Sequence, residues 1–411
     1  MGLPLGGGGF VSKGWLAGGF RMRKGCLLLL ALLLVCTGGL LPAEVQAAPG
    51  VSTSAESAAL IDVTSGRLLF SVQGDKPMRI ASLTKIMTAI VAIEHGKLSD
   101  MAKVGKNAFG TEGSSIYLRL DEEMSLKDLL YGLMLRSGND AAMTIAEHVG
   151  GSVEGFAFLM NEKARMIGMT NSSFKNPSGL DAEGHYSTAN DMARLTAYAL
   201  KNPVFQEIVK TKVKKVPNPN ESWDYSWVNK NKMLSLYEGA DGVKTGYTKL
   251  AKRCLVSSAT RGGQQLAAVT LNDPNDWIDH ARLLDYGFKH YPLVPFIRSG
   301  EPVLGTDLAA GGSFSYPAEE AERSRFTRQL VMNDAGSTAY RLGEAGHLQF
   351  LLDGKPIGSV PLYAKDSPRL HLNDRSSFSL TEMEMLNEAR AREWLYILQA
   401  LSRVLFTGQV K

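Results

Sequence analysis

Residues 80–88 read Ile80-Ala81-Ser82-Leu83-Thr84-Lys85-Ile86-Met87-Thr88. From Ser82 onward, Ile86, Met87, Ile90, Val91 and Ile93 recur at helical spacing, and no Gly or Pro interrupts them before Gly96. The pattern predicts a mostly apolar helix of about three turns, which belongs in a core. On its N-terminal side, Ser57 to Asp62, the turn Thr64-Ser65-Gly66 and then Arg67 to Phe70 read as two strands of a hairpin. On its C-terminal side, helical patterns follow at 126–134, 140–149, 153–166 and 189–200, and strand-like composition returns at 255–258 and 266–271. Strands at both ends must pair across a helical insertion. The expected class is therefore mixed α/β (α+β), with helices packed on a largely antiparallel sheet.

Ser82 and Lys85 stand three apart at the start of that helix, so the lysine amine shares a face with the serine hydroxyl. A second Ser-x-x-Lys, Ser172 to Lys175, runs into Asn176-Pro177, which disfavours a helix there. A serine hydroxyl is a poor nucleophile until a base accepts its proton, and a lysine serves when burial and neighbouring positive charge lower its pKa. Lys244, in Lys244-Thr245-Gly246, is a candidate source of that charge. A helix N-terminus adds backbone N–H groups and a positive dipole end for an attacked acyl carbonyl. Taken singly, each motif has a plainer reading: Ser82 as an N-cap, Ser137-Gly138-Asn139 as a turn, Lys244-Thr245-Gly246 as a strand end.

Together, in this order, the Ser-x-x-Lys, Ser-x-Asn and Lys-Thr-Gly motifs form the set of the penicillin-recognising serine enzymes. With Asn176-Pro177-Ser178-Gly179-Leu180, Tyr186-Ser187-Thr188-Ala189 and Asp241-Gly242-Val243-Lys244-Thr245-Gly246-Tyr247-Thr248 around them, the chain resembles the serine-type D-alanyl-D-alanine carboxypeptidases, the low-molecular-mass penicillin-binding proteins. The likeness runs from about Ser54 to Tyr291. It implies a β-lactamase/transpeptidase-like catalytic domain, an antiparallel sheet flanked by helices. It implies Ser82 as the acylated nucleophile, Lys85 as its base, Ser137 as the proton relay to the leaving amine, and Asn139 as the holder of side chains and substrate amide. Lys244 and Thr245 would face the substrate carboxylate, and Gly246 and Tyr247 complete the binding edge, with the backbone N–H groups of Ser82 and Tyr247 as the oxyanion hole. The implied substrate is a peptidoglycan stem peptide ending in D-Ala-D-Ala, with β-lactams as inhibitors and no cofactor. Some relatives carry an Arg shortly before the stretch matching Leu283 to Phe288, where this chain has Asn275-Asp276-Trp277-Ile278-Asp279-His280, with Arg282 nearest. Many also have Gly where Lys252 stands.

The chain has 411 residues, and 45 Lys and Arg against 41 Asp and Glu, too balanced for a protein built to grip nucleic acid. Arg21, Arg23 and Lys24 precede the apolar run Leu27 to Val35, and Val45-Gln46-Ala47 supplies small residues for cleavage, so 1–47 reads as an export signal. Cys26 and Cys36 leave with it, and Cys254 remains alone, which excludes a disulfide scaffold. The expected organisation is the signal, a catalytic domain over 48–291, a small β-rich domain over 292–375 that starts where Pro and Gly become frequent, and an amphipathic helix over 376–411. In that last segment Trp394, Ile397, Leu398, Leu401, Val404 and Leu405 share a face, which suits a membrane surface or a docked helix equally. The expected location is the outer face of the cytoplasmic membrane. A class A β-lactamase would need a Glu-x-x-Leu-Asn segment between Ser137 and Lys244, which this chain lacks, and no His-Glu-x-x-His supports a metallopeptidase. A non-catalytic wall-binding protein and a transpeptidase are the other readings.

Overall fold

The computed structural model describes residues 50–371. The segments expected as an export signal (1–47) and an amphipathic helix (376–411) lie outside the described residues. Five strands form the central sheet: β1 (Ser57–Asp62), β2 (Leu68–Val72), β3 (Ala240–Thr248), β4 (Lys252–Arg261) and β5 (Gln264–Leu271), in the spatial order β2-β1-β5-β4-β3 and antiparallel throughout. Ser57 pairs with Leu271 and Asp62 with Leu266, so the first hairpin closes on the last across the whole helical insertion, as expected.

Both faces of the sheet are buried. Along β1, Ala59 and Ile61 enter one apolar core while Ala58 and Leu60 enter another; Val269 and Ala268 divide the same way on β5. That division explains why these strands read as continuous apolar runs and not as polar/apolar alternations. The first core lies under helices α1 (Thr84–His95), α2 (Leu126–Tyr131), α3 (Asn139–Gly150), α4 (Val153–Met166), α5 (Ala189–Ala199) and α6 (Pro203–Lys210); the second lies under α7 (Asp276–His290), through Leu283 and Leu284. Helix α1 is buried continuously from Thr84 to Ala92.

Two local expectations need correction. The α-helix begins at Thr84, not at Ser82, because Ala81 takes a left-handed φ of 47° and residues Ala81–Leu83 form a 3₁₀ turn. The helix expected over 126–134 is α-helical only to Tyr131 and continues as a π-helical turn, Gly132–Arg136, which ends on Ser137 at φ 66°. Each distortion immediately precedes or contains a motif residue.

After α7 the chain builds a separate four-stranded antiparallel sheet from β7 (Leu308–Ala310), β9 (Phe326–Met332), β10 (Gly346–Leu352) and β11 (Lys355–Ala364), and a two-stranded ribbon from β6 (Leu293–Ile297) and β8 (Phe314–Pro317). Ile297, Ala310, Leu348, Phe350, Val360 and Leu362 make its own core. Arg67, from the first hairpin, ties this part to the sheet: it donates to both Glu322 carboxylate oxygens at 2.9 and 2.5 Å and to the Pro317 carbonyl at 2.7 Å, with its guanidinium over the rings of Tyr291 and Tyr316.

Candidate active site

The edge strand β3 runs beside the Ala81–Leu83 turn and leaves a cleft of about 520 Å³. Ser82, Ser137, Thr245, Gly246 and Tyr247 line it. The other motif residues stand just behind: Lys85 is wholly buried, Asn139 is buried, and Lys244 is 1% exposed. The structure thus brings all eight motif residues named from the sequence to one place. Gly246 is needed for the approach, because a Cβ there would sit 3.2 Å from both the Ile80 carbonyl oxygen and the Ser82 backbone nitrogen.

The plainer reading of Ser82 as an N-cap does not hold, since neither the 3₁₀ turn nor α1 has a side-chain cap. The Ser82 hydroxyl oxygen instead lies 3.1 Å from Lys85 Nζ. That amine also donates to Asn139 Oδ1 at 2.7 Å and to the Ser178 carbonyl at 2.5 Å. The amine thus has three oxygens within hydrogen-bond distance, the Ser82 hydroxyl among them. Burial, reinforced by the positive charges of Lys244 and Lys230, holds Lys85 well below the ordinary lysine range. Lys244, whose Nζ donates to the Thr245 carbonyl at 2.8 Å, is pushed down to about 7 by burial and then by Lys230.

Surrounding contacts fix these groups. Asn139 Nδ2 donates to the Glu112 carbonyl at 2.6 Å, which turns its Oδ1 toward Lys85, and its backbone N–H donates to the Ser114 carbonyl at 2.7 Å. The loop carrying those two carbonyls is tied down by the buried Asp140, which accepts from the Ser115 hydroxyl at 2.5 Å and from the backbone N–H groups of Ile116 and Leu118 at 3.1 Å. Thr84 donates to the Ala81 carbonyl at 2.9 Å and lies 2.8 Å from His185 Nε2. His185 Nδ1 accepts from the Lys175 backbone N–H, so Nε2 carries the proton, and burial drives this imidazole down to about 4 and keeps it neutral. The segment Asn176 to Leu180 supplies the Ser178 carbonyl, while the Pro177 carbonyl accepts from Thr88 at 2.7 Å.

Sequence reasoning missed Lys230, Ser114, Arg253, Asp276 and Trp277 as cleft-lining residues, together with Asp140 and His185 behind the site. Lys230 Nζ donates to the Ser114 hydroxyl at 3.2 Å. Arg282, the nearest arginine to the expected position, pairs with Asp279 on its own helix at 3.4 Å and with no other acid among the described residues. Among the described residues no cluster of His, Cys, Asp and Glu is arranged to hold a metal ion. The arrangement offers a hydroxyl beside a buried amine whose pKa is lowered, in a cleft with cationic walls, which is equipment for acyl transfer.

Comparison with known proteins agrees with this chemistry. The family model for D-alanyl-D-alanine carboxypeptidase matches residues 43–275. The D-alanyl-D-alanine carboxypeptidase DacF of Bacillus subtilis (strain 168) is 33% identical over 332 residues, covering 76% of this chain and 85% of that protein. DacC of Escherichia coli (strain K12), a D-alanyl-D-alanine carboxypeptidase, is 33% identical over 354 residues, with coverage of 78% and 86%. Among solved structures, penicillin binding protein 5 from Haemophilus influenzae superposes with a TM-score of 0.62 at 26% identity, covering 77% of this chain and 98% of that one. This chain is a serine hydrolase that belongs to the D-alanyl-D-alanine carboxypeptidase family.

Proposed function

We propose that the protein removes the terminal D-alanine from peptidoglycan stem pentapeptides through an acyl-enzyme on Ser82, and that penicillin acylates the same oxygen. The observation that carries this reading is the Lys85 amine, wholly buried, 3.1 Å from the Ser82 hydroxyl and held by burial well below the ordinary lysine range. Lys85 takes the Ser82 proton as Oγ attacks the carbonyl between the two D-alanines. The oxyanion then forms at the backbone N–H groups of Ser82 and Tyr247. As the C–N bond breaks, the proton passes from Lys85 through Ser137 to the leaving amine, while Asn139 holds Lys85 and the substrate amide. Lys244 and Thr245 face the terminal carboxylate across the edge that Gly246 keeps narrow. Water, with Lys85 again as base, then releases the shortened peptide.

In the same reading 48–291 is the catalytic domain, 292–375 a small β-rich domain, and the product of cleavage after residue 47 works at the outer face of the cytoplasmic membrane. The 376–411 segment supplies surface attachment. No helix among the described residues is long and apolar enough to cross a membrane. A chain ending near Arg375 that still pelleted with membranes would overturn the attachment.

The deciding experiment measures D-alanine release from a synthetic stem peptide ending in D-Ala-D-Ala, by the parent and by Ser82→Ala. Release by the parent alone is the expected result. Equal release by both removes Ser82 as nucleophile; release by neither favours a wall-binding role without catalysis.

A further inference from the structure

One wall of the cleft has no part in the chemistry above. Arg253, on β4, pairs in register with Tyr247 on β3, and Leu255 pairs with Thr245. Opposed residues of an antiparallel pair share a face, so Arg253 projects from the same face as Tyr247 and, diagonally, Thr245. It lines the cleft together with Ser82 and Thr245. Its orientation is set from behind. Asp276, in the first turn of α7, takes Nε at 3.1 Å and Nη2 at 2.6 Å, and the guanidinium carbon lies 5.8 Å from the centre of the Trp277 ring.

Asp276 is not in need of this partner. It sits at a helix N-terminus, where a carboxylate is favoured, and already accepts from the Trp277 backbone N–H at 2.9 Å. The group being held is the arginine. A guanidinium has five N–H bonds in a fixed fork, and the side-on pair with Asp276 uses two of them. The three that remain, on Nη1 and Nη2, have no other protein acceptor among the described residues, and the side chain is 44% exposed at the cleft. A carboxylate engages that free edge in the bidentate geometry that a lysine cannot offer. Lys244 is turned to the Thr245 carbonyl and Lys230 to the Ser114 hydroxyl, which leaves Arg253 as the planar donor of the lining.

We infer that Arg253 anchors the carboxylate of the departing D-amino acid beside Thr245, with Asp276 and Trp277 as the positioning residues that hold its fork. This assignment rests on the acyl-enzyme reading of Ser82. It makes Arg253 the residue that distinguishes a chain-terminal acyl donor from one without a carboxylate. It also places the guanidinium on β4, opposite an acid at the segment 275–280 where the family resemblance led to an expected Arg.

The test uses two thioesters with the same acyl-D-alanyl group. One leaves as thioglycolate, which carries a carboxylate; the other leaves as ethanethiol, which carries none. The readout is the ratio of their kcat/KM values within each full-length protein, so that a loss of folded enzyme cancels. In Arg253→Gln the ratio should fall about ten- to hundredfold, the range for losing hydrogen bonds to a charged group. Arg253→Gln with the parent's ratio overturns the assignment. Asp276→Asn should lower the ratio by a smaller factor through a higher KM for the thioglycolate ester, and an unchanged ratio there removes the positioning role of Asp276. Persistent turnover of both thioesters by Ser82→Ala is a separate result, and it removes the acyl-enzyme reading underneath.

Discussion

Replacing Asp140 by Ala tests whether the site is held by its neighbouring loop. Asp140 is 2% exposed and gathers the Ser115 hydroxyl and the Ile116 and Leu118 backbone N–H groups onto one carboxylate. Removal leaves three buried backbone donors, Ile116, Leu118 and Ala141, without this acceptor, each costing about 1–3 kcal/mol, while the part-exposed Ser115 turns to water. Taking the low end of that range for each, the loss is about 3 kcal/mol, or about 6–12 °C in Tm for a domain of this size. Asp140→Asn keeps one acceptor oxygen and should cost about half as much. The consequence for activity follows from the Glu112 and Ser114 carbonyls, which the same loop presents to Asn139. Once the loop is released, Asn139 no longer fixes the Lys85 amine, so kcat should fall more than KM rises. Thermal unfolding and D-alanine release kinetics on the parent, the Asn and the Ala variants give the comparison. An Ala variant as stable as the parent, or one that lost stability with kcat intact, would refute the reasoning.

Two further outcomes follow from the same geometry. Gly246→Ala puts a Cβ 3.2 Å from Ser82 N and the Ile80 carbonyl, so the turn must yield by a few tenths of an ångström; penicillin acylation should slow about tenfold or more with the protein still folded, because small misplacements of a nucleophile are costly. Unchanged acylation would show that the contact does not position Ser82. The buried lysines set a pH dependence of stability: from about pH 7, the folded value of Lys244, to the unfolded value near 10.4, the unfolded chain holds a proton the folded one has shed. Stability therefore rises with pH in that window, by about 1.4 kcal/mol per unit for each such lysine. Buried Cys254, its thiol pushed up to about 12, contributes the opposite slope above about pH 8.5, equally in both proteins compared. Lys244→Met should lose its share of the rise between pH 7.5 and 9.5, measured by denaturant unfolding, and an undiminished slope would contradict the lowered value.

Periodicity was sufficient for α1, for both strand pairs and for the closure of the sheet, because those elements carry long apolar patterns that only one burial satisfies. It misplaced the start of α1 by two residues, since the left-handed Ala81 is imposed by packing against Gly246 and Gly179 and has no local signal. It read straight through the π-helical turn before Ser137 for the same reason. The site motifs were legible as three separate words. Lys230, Arg253, Asp140 and His185 were not, because each meets the site through a strand register, a loop or a buried contact formed only in the folded chain. A lone polar residue among many carries no mark of which cleft it will face.

The pairing of Ser57 with Leu271 has a consequence for the order of assembly. As the chain is made, β1 and β2 emerge first, yet their sheet partner is among the last catalytic residues to appear. A two-stranded hairpin alone is at best marginally stable in water, so the opening hairpin waits, and closing so long a loop makes this a slow, late-committing fold. The Ala81–Leu83 turn cannot meet β3 before then either, so a nascent chain has no working nucleophile until its synthesis is well past Leu271. The topology thereby leaves an unfinished chain without its closed sheet and without an assembled site.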